Sequence, residues 1–187
     1  MWPWGHAAFG YLLYSLSHRL ATRKPPSDRP TVVLLAASLF PDLVDKPLSW
    51  GWGLFPSGYA VGHSALVAVP LGLLVVGIAL LRGWPAEGLA FTVGYWSHLV
   101  GDVLYASARE GELAVSLVLW PLVSLPPYAT DRGLFGRTVL YLHEFLAGFA
   151  SGSFEPLTVA LYVGPLSAAA LLWLLDGRPG VPMLGRS

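Results

Sequence analysis

The 187-residue chain is 55% hydrophobic and 12% charged, with a mean hydropathy of +0.59; soluble domains carry about 25% charged residues, so the balance points to a bilayer protein. Its basic and acidic residues cancel to a net charge of zero, which gives no reason to expect a nucleic-acid partner. There is no cysteine, which excludes disulfides and thiolate metal sites.

Trp4 to Leu20 is the first apolar segment, and its 17 residues make about 25 Å of helix, enough for a short span. No basic residue precedes it in Met1-Trp2-Pro3-Trp4-Gly5-His6, so a retained membrane helix is expected rather than a signal peptide. Ser17 to Pro30 is a polar connection with Arg19, Arg23, Lys24 and Arg29. Thr31 to Val44 is the second segment, interrupted by Pro41, and Lys46 to Tyr59 is a loop rich in Gly, Pro and aromatic residues. Ala60 to Leu81 is the clearest span; Arg82 to Pro85 turns tightly into the fourth segment, Ala86 to Ser107. Leu113 to Leu125 is apolar but runs into Pro126-Pro127, so it either crosses or re-enters as a broken piece. Thr138 to Ala150 is short for a span, and Pro156 to Leu175 reads as a final helix. The expected fold is all-α: a polytopic transmembrane helical bundle of roughly five to seven membrane segments. With no repeat, low-complexity tail or long linker, residues 1–187 are expected to form a single integral-membrane domain.

If the segments alternate, one side holds Arg19, Arg23, Lys24, Arg29, Arg82, Arg132, Arg137, Arg178 and Arg186, and the other only Lys46 and Arg109. Basic loops stay in the cytoplasm, so this bias places the N-terminus outside.

His98 and Asp102 stand four residues apart, one turn apart on one helix face, inside an apolar segment where both groups are costly unless compensated. Neutral His and ionised Asp are good metal ligands; a His–Asp hydrogen bond inside the bundle is the alternative. With the topology above, His6, Asp42, Asp45, His63, His98 and Asp102 fall at similar depth on the outer side, from four helices. Three carboxylates at one depth repel one another, which one or two metal ions would relieve, as would protonation of one carboxylate. His and carboxylate without sulfur suit zinc first, with manganese, iron or cobalt as alternatives. Each residue also has another reading. His6 could cap the first helix, Asp42 could sit at a helix terminus, Asp45 could pair with Lys46, and His63-Ser64 could be a capping pair. His143-Glu144 lacks the second His of a zincin motif, and His18 lies among arginines on the other side. Trp50, Trp52, Phe55 and Tyr59 make an interfacial aromatic belt, or a platform for an amphiphilic substrate; Trp2, Trp4 and Tyr105 lie level with them.

His6-Ala7-Ala8-Phe9-Gly10, Leu39-Phe40-Pro41-Asp42-Leu43-Val44-Asp45, Gly62-His63-Ser64, His98-Leu99-Val100-Gly101-Asp102 and Leu119-Trp120-Pro121-Leu122 follow one another in order. This ordered set resembles the YdjM-like membrane-bound metal-dependent hydrolases, which are grouped with zinc-dependent phospholipase C and the single-strand-specific zinc nucleases. The resemblance covers about two-thirds of the chain and stops before the last two segments. It implies an α-helical metal site that hydrolyses phosphoesters, with His6, Asp42, His63, His98 and Asp102 as metal ligands. The family often carries Arg-Gly-Thr before its His-Ser, where this chain has Tyr59-Ala60-Val61-Gly62, so a phosphate contact from that arginine is not carried over.

The reading that follows is a metal-dependent, zinc-type hydrolase at the extracytoplasmic face of the cell membrane, acting on a phosphoester or lipid phosphoester. Asp45 is its candidate general base if it is not a ligand. The rival readings are a metal or proton transporter using the intramembrane His and Asp residues, and a membrane scaffold with a structural metal.

Overall fold

A computed structural model describes residues 1–181, so Arg186 lies outside the described residues. The described residues are helical, with no strand among them. The helices are α1 (Pro3–Thr22), α2 (Asp28–Ala37), α3 (Phe40–Lys46), α4 (Ala65–Arg82), α5 (Pro85–Glu110), α6 (Gly133–Ser151) and α7 (Pro156–Leu175). Proline opens α1, α5 and α7, where its fixed φ suits the first turn and its missing N–H costs no bond.

α5 is the axis of the bundle and packs against α1, α2 and α4, while α7 packs along α1. Its buried face runs through Gly88, Ala90, Thr92, Gly94, Tyr95, Ser97, His98 and Asp102. Small residues on that face let neighbouring backbones approach closely. At Gly94 a Cβ would stand 2.5 Å from the Leu34 carbonyl oxygen, so any side chain there would force α2 and α5 apart.

The packing defines two ends. α1 starts beside Asp102 of α5 at what we term the site end, and its last turns meet Asp176, just past α7, at the far end. Tyr11, Ser15 and Arg19 all donate to the Asp176 carboxylate. Although burial pushes the Asp176 carboxyl up, these donors outweigh it and hold the group below its ordinary value. Between the two ends lies an apolar layer of Ala8, Leu34, Ala90 and Ala169. The far half of α1 thus carries a polar knot beside its apolar packing.

Among the described residues two helices, α4 and α7, are long and apolar enough to cross a bilayer, and both leave most of their side chains exposed. On α4 the exposed residues include Leu66, Val69, Leu73, Leu74, Ile78 and Leu81, an apolar face of the kind that lipid covers.

For two segments the sequence leaves a crossing open. Leu113–Leu125 contains only a 3₁₀ turn, Val115–Val118, about 8 Å long and far too short to cross. α6, which contains Thr138–Ala150, lies across the site end. Its Arg137 stacks on Tyr128 near Trp50, its Phe145 packs on Trp2 and Trp4, and its Phe149 meets Phe154. Strict alternation therefore fails after α5, and Arg132 and Arg137 belong to the site end with Lys46 and Arg109. Arg19, Arg23, Lys24, Arg29, Arg82 and Arg178 remain at the far end, so the charge bias keeps its direction but is smaller.

Candidate metal centre

Four parts of the chain converge at the site end. α1 brings His6 in its first turn, α3 brings Asp42 and Asp45, the residues before α4 bring His63, and α5 brings His98 and Asp102. All six are buried, and His6, Asp45, His63 and His98 are among the most completely enclosed side chains of the protein. Sequence reasoning placed these six at one depth, and the structure brings them together.

The two central histidines are oriented from behind. α2 ends at Ala37, which frees the carbonyl of Ser38 from helical bonding, and His98 Nδ1 lies 2.7 Å from it. A carbonyl only accepts, so His98 carries its hydrogen on Nδ1. His63 Nδ1 lies 2.8 Å from Asp45 Oδ2, which fixes the same tautomer. Each neutral ring therefore turns an Nε2 lone pair inward, and the two Nε2 atoms stand 3.1 Å apart. Carboxylate oxygens complete the array. Asp42 Oδ1 lies 3.5 Å from His63 Nε2 and 3.8 Å from His98 Nε2; Asp102 Oδ2 lies 3.6 and 3.5 Å from the same atoms. Four acceptors facing one another repel unless a metal ion or a shared proton lies between them.

His6 adds a fifth donor. Its ring stacks on His98 at 3.6 Å, and both its nitrogens are buried without a hydrogen-bond partner among the described residues. Its Nε2 is 3.3 Å from Asp102 Oδ1, outside hydrogen-bonding geometry. Two overlapping sets could hold a metal ion: His6, His98 and Asp102, and Asp42, His63 and His98. Cations border the cluster. The Met1 amino group lies 2.7 Å from Asp102, and Lys46 reaches back one turn to Asp42 at 2.5 Å rather than pairing with its neighbour Asp45.

Asp45 has different surroundings. Its fully buried carboxylate accepts the backbone N–H groups of Ala60, Gly62 and His63 at 2.7, 2.8 and 3.0 Å, besides the His63 ring. Burial pushes its carboxyl up, but the His63 ring and the Gly62 and Ala60 amides outweigh this and hold it below the ordinary carboxylate value. Gly62 is required here, since a Cβ would come within 2.9 Å of the Pro41 carbonyl oxygen and 3.2 Å of the Asp45 carboxylate.

The family model described as YdjM inner membrane protein matches residues 1–175, from the first turn of α1 to the end of α7. The chain belongs to the YdjM inner membrane protein family. No curated protein and no solved structure matches it.

The YdjM match covers every cluster residue and extends past Leu119-Trp120-Pro121-Leu122 into α6 and α7. Ser64 donates its hydroxyl to the Trp120 carbonyl, which ties that motif to the residue following His63. Tyr95 donates to the Gly62 carbonyl at 2.8 Å and supports the same loop from α5. These supports, like the Ser38 carbonyl, escaped sequence reasoning because their partners are backbone atoms. Two histidines stay outside the cluster: His18 lies against Tyr14 far along α1, and His143 is exposed on α6.

Proposed function

We propose that this YdjM-family protein is a metal-dependent hydrolase of phosphoesters, with its site at the extracytoplasmic face of the cell membrane, α1, α4, α5 and α7 as its membrane-spanning helices, and the ten-residue α2 returning the chain toward the site end. The inward-facing Nε2 lone pairs of His63 and His98 carry this reading: each Nδ1 is held by an outer acceptor, the arrangement by which proteins orient metal-ligating histidines. The separations of 3.1–3.8 Å among these nitrogens and carboxylate oxygens resemble the roughly 3.4 Å between ligand atoms on a tetrahedral zinc with bonds near 2.0–2.1 Å. Zinc is the favoured ion and manganese the alternative. The two sets share His98, whose one free nitrogen serves a single ion, so they describe alternatives for one ion rather than two filled sites.

His6, Asp42, His63, His98 and Asp102 are the proposed ligands. A divalent ion held by them supplies Lewis acidity to a phosphoryl oxygen and acidity to water. Asp45, the base expected from the sequence, is reassigned: with four N–H donors on its carboxylate it is a positioning residue that fixes His63. Asp42, the most exposed of the three carboxylates, is the one available to orient water. The larger basic share of the far end supports a cytoplasmic far end and an outer site.

A transporter would need a polar route between the two ends. The Asp176 knot is saturated by Tyr11, Ser15 and Arg19 and separated from the cluster by the Ala8–Leu34–Ala90 layer, which favours a one-sided site. The test is hydrolysis by the purified full chain, with zinc or manganese, of a panel of phosphomonoesters and phosphodiesters that includes lipid ones. Chelation should abolish the activity and metal restore it. Asp102→Asn should lose more than the roughly 10–100-fold that removal of an outer partner costs, and His18→Ala should change nothing. Metal-dependent flux through proteoliposomes without hydrolysis of any ester would decide for the transporter.

A further inference from the structure

A cavity of about 600 Å³ opens at the site end. Three residues of its lining each touch a different member of the cluster: Lys46 contacts Asp42, Met1 contacts Asp102, and the Tyr59 ring lies 4.7 Å from His63. The cavity therefore adjoins the cluster, with these three residues as the wall between them.

That lining mixes two chemistries. It includes two cations, Lys46 and Arg109, whose charged groups lie 5.5 Å from the Trp50 ring and 5.6 Å from the Tyr105 ring. A cation resting on an aromatic face is held in place; Lys46 shares its charge with Asp42, while Arg109 is exposed and stands ready to meet an anion. One carboxylate, Glu144, is also in the lining. The lining also holds an aromatic box in which Phe145 meets Trp2, Phe154 and Tyr162 at 4.8–6.0 Å, and Tyr105, under Arg109, donates its hydroxyl to Tyr162 at the edge of that box. Outside the box the surface is apolar: Leu146, Phe149 and Leu157 are each about half exposed. A cavity of this size with a few charged groups set among aromatic walls is built for a small amphiphile.

From this we infer that the cavity binds the substrate of the proposed hydrolase, on which reading the inference rests, and that the substrate is an amphiphilic phosphoester. Its phosphate meets the two cations of the lining, Lys46 and Arg109, and its hydrocarbon lies along Trp2, Phe145, Phe154 and Tyr162.

The inference is tested by calorimetric binding to the full chain in non-ionic detergent, with the metal content of each sample measured. The probes are dodecylphosphonate (which has no ester to cleave), dodecanol and methylphosphonate. Dodecylphosphonate is expected to bind at least tenfold more tightly than either of the others. Arg109→Met, exposed and remote from the cluster, should remove that preference about tenfold without changing metal content, and Phe145→Ala should weaken both chain-bearing probes. Equal binding of dodecylphosphonate and dodecanol, methylphosphonate binding as tightly as dodecylphosphonate, or an unchanged Arg109→Met protein would each overturn the inference. If any of these occurs in protein that carries metal, the pocket assignment fails and the metal site stands. If the preference and its loss in Arg109→Met occur in metal-free protein, the pocket stands and the hydrolase reading fails.

Discussion

The His98→Ala protein is expected to purify without bound metal and to take up none when zinc or manganese is added. His98 belongs to both ligand sets, so its loss cannot be covered by a shift from one set to the other. Its ring is also the surface on which His6 stacks, so the variant removes one donor and releases a second. The expected fall in affinity exceeds the roughly 10–100-fold range of outer partners, because a ligand itself is lost. Competition against a chromophoric chelator measures it, with circular dichroism to show that the helices persist. The wild-type protein should also gain thermal stability with added zinc, since an ion that binds only the folded chain stabilises it, and His98→Ala should gain none.

Asp45→Asn should weaken metal binding by about 10–100-fold although Asp45 is not among the proposed ligands. The carboxylate collects three backbone N–H groups and the His63 Nδ1–H, and an asparagine can offer only one oxygen to these four donors. Leaving a buried donor unmet costs about 1–3 kcal/mol, so the Tyr59–Ser64 loop loosens and His63 loses its fixed tautomer. The ¹⁵N shifts of the His63 ring distinguish this from simple destabilisation. In the wild-type protein they should report hydrogen on Nδ1, and in Asp45→Asn a mixture of the two tautomers. A variant with wild-type affinity and an unchanged Nδ1–H signal would show that Asp45 does not position His63.

Much of the candidate site was legible because its side chains are chemically out of place. A His and an Asp one turn apart in an apolar helix announce a compensating partner, and charge bias placed six such groups from four helices at one depth. The separate work of Asp42 and Asp45 was not legible. Both lie on α3, and which of them Lys46 reaches depends on helical geometry rather than adjacency in sequence. Ser38 was invisible for another reason: its contribution is a carbonyl freed by the end of α2, which any residue could supply. In the fold, hydropathy identified α4 and α7 but left open whether Leu113–Leu125 crosses, since composition reports burial in some apolar medium and not the hydrogen bonding that a span requires. Thr138–Ala150, within α6, was left open in the same way. Its apolar residues serve the aromatic packing at the site end rather than a crossing.

The most direct measurement is elemental analysis of the wild-type protein purified in detergent without chelator, beside Asp102→Asn. The expected result is at least one divalent transition-metal ion per wild-type chain and a much lower content in the variant. A wild-type chain that is free of metal, takes up neither zinc nor manganese, and holds an added proton between His63 and His98 instead would contradict the metal centre itself.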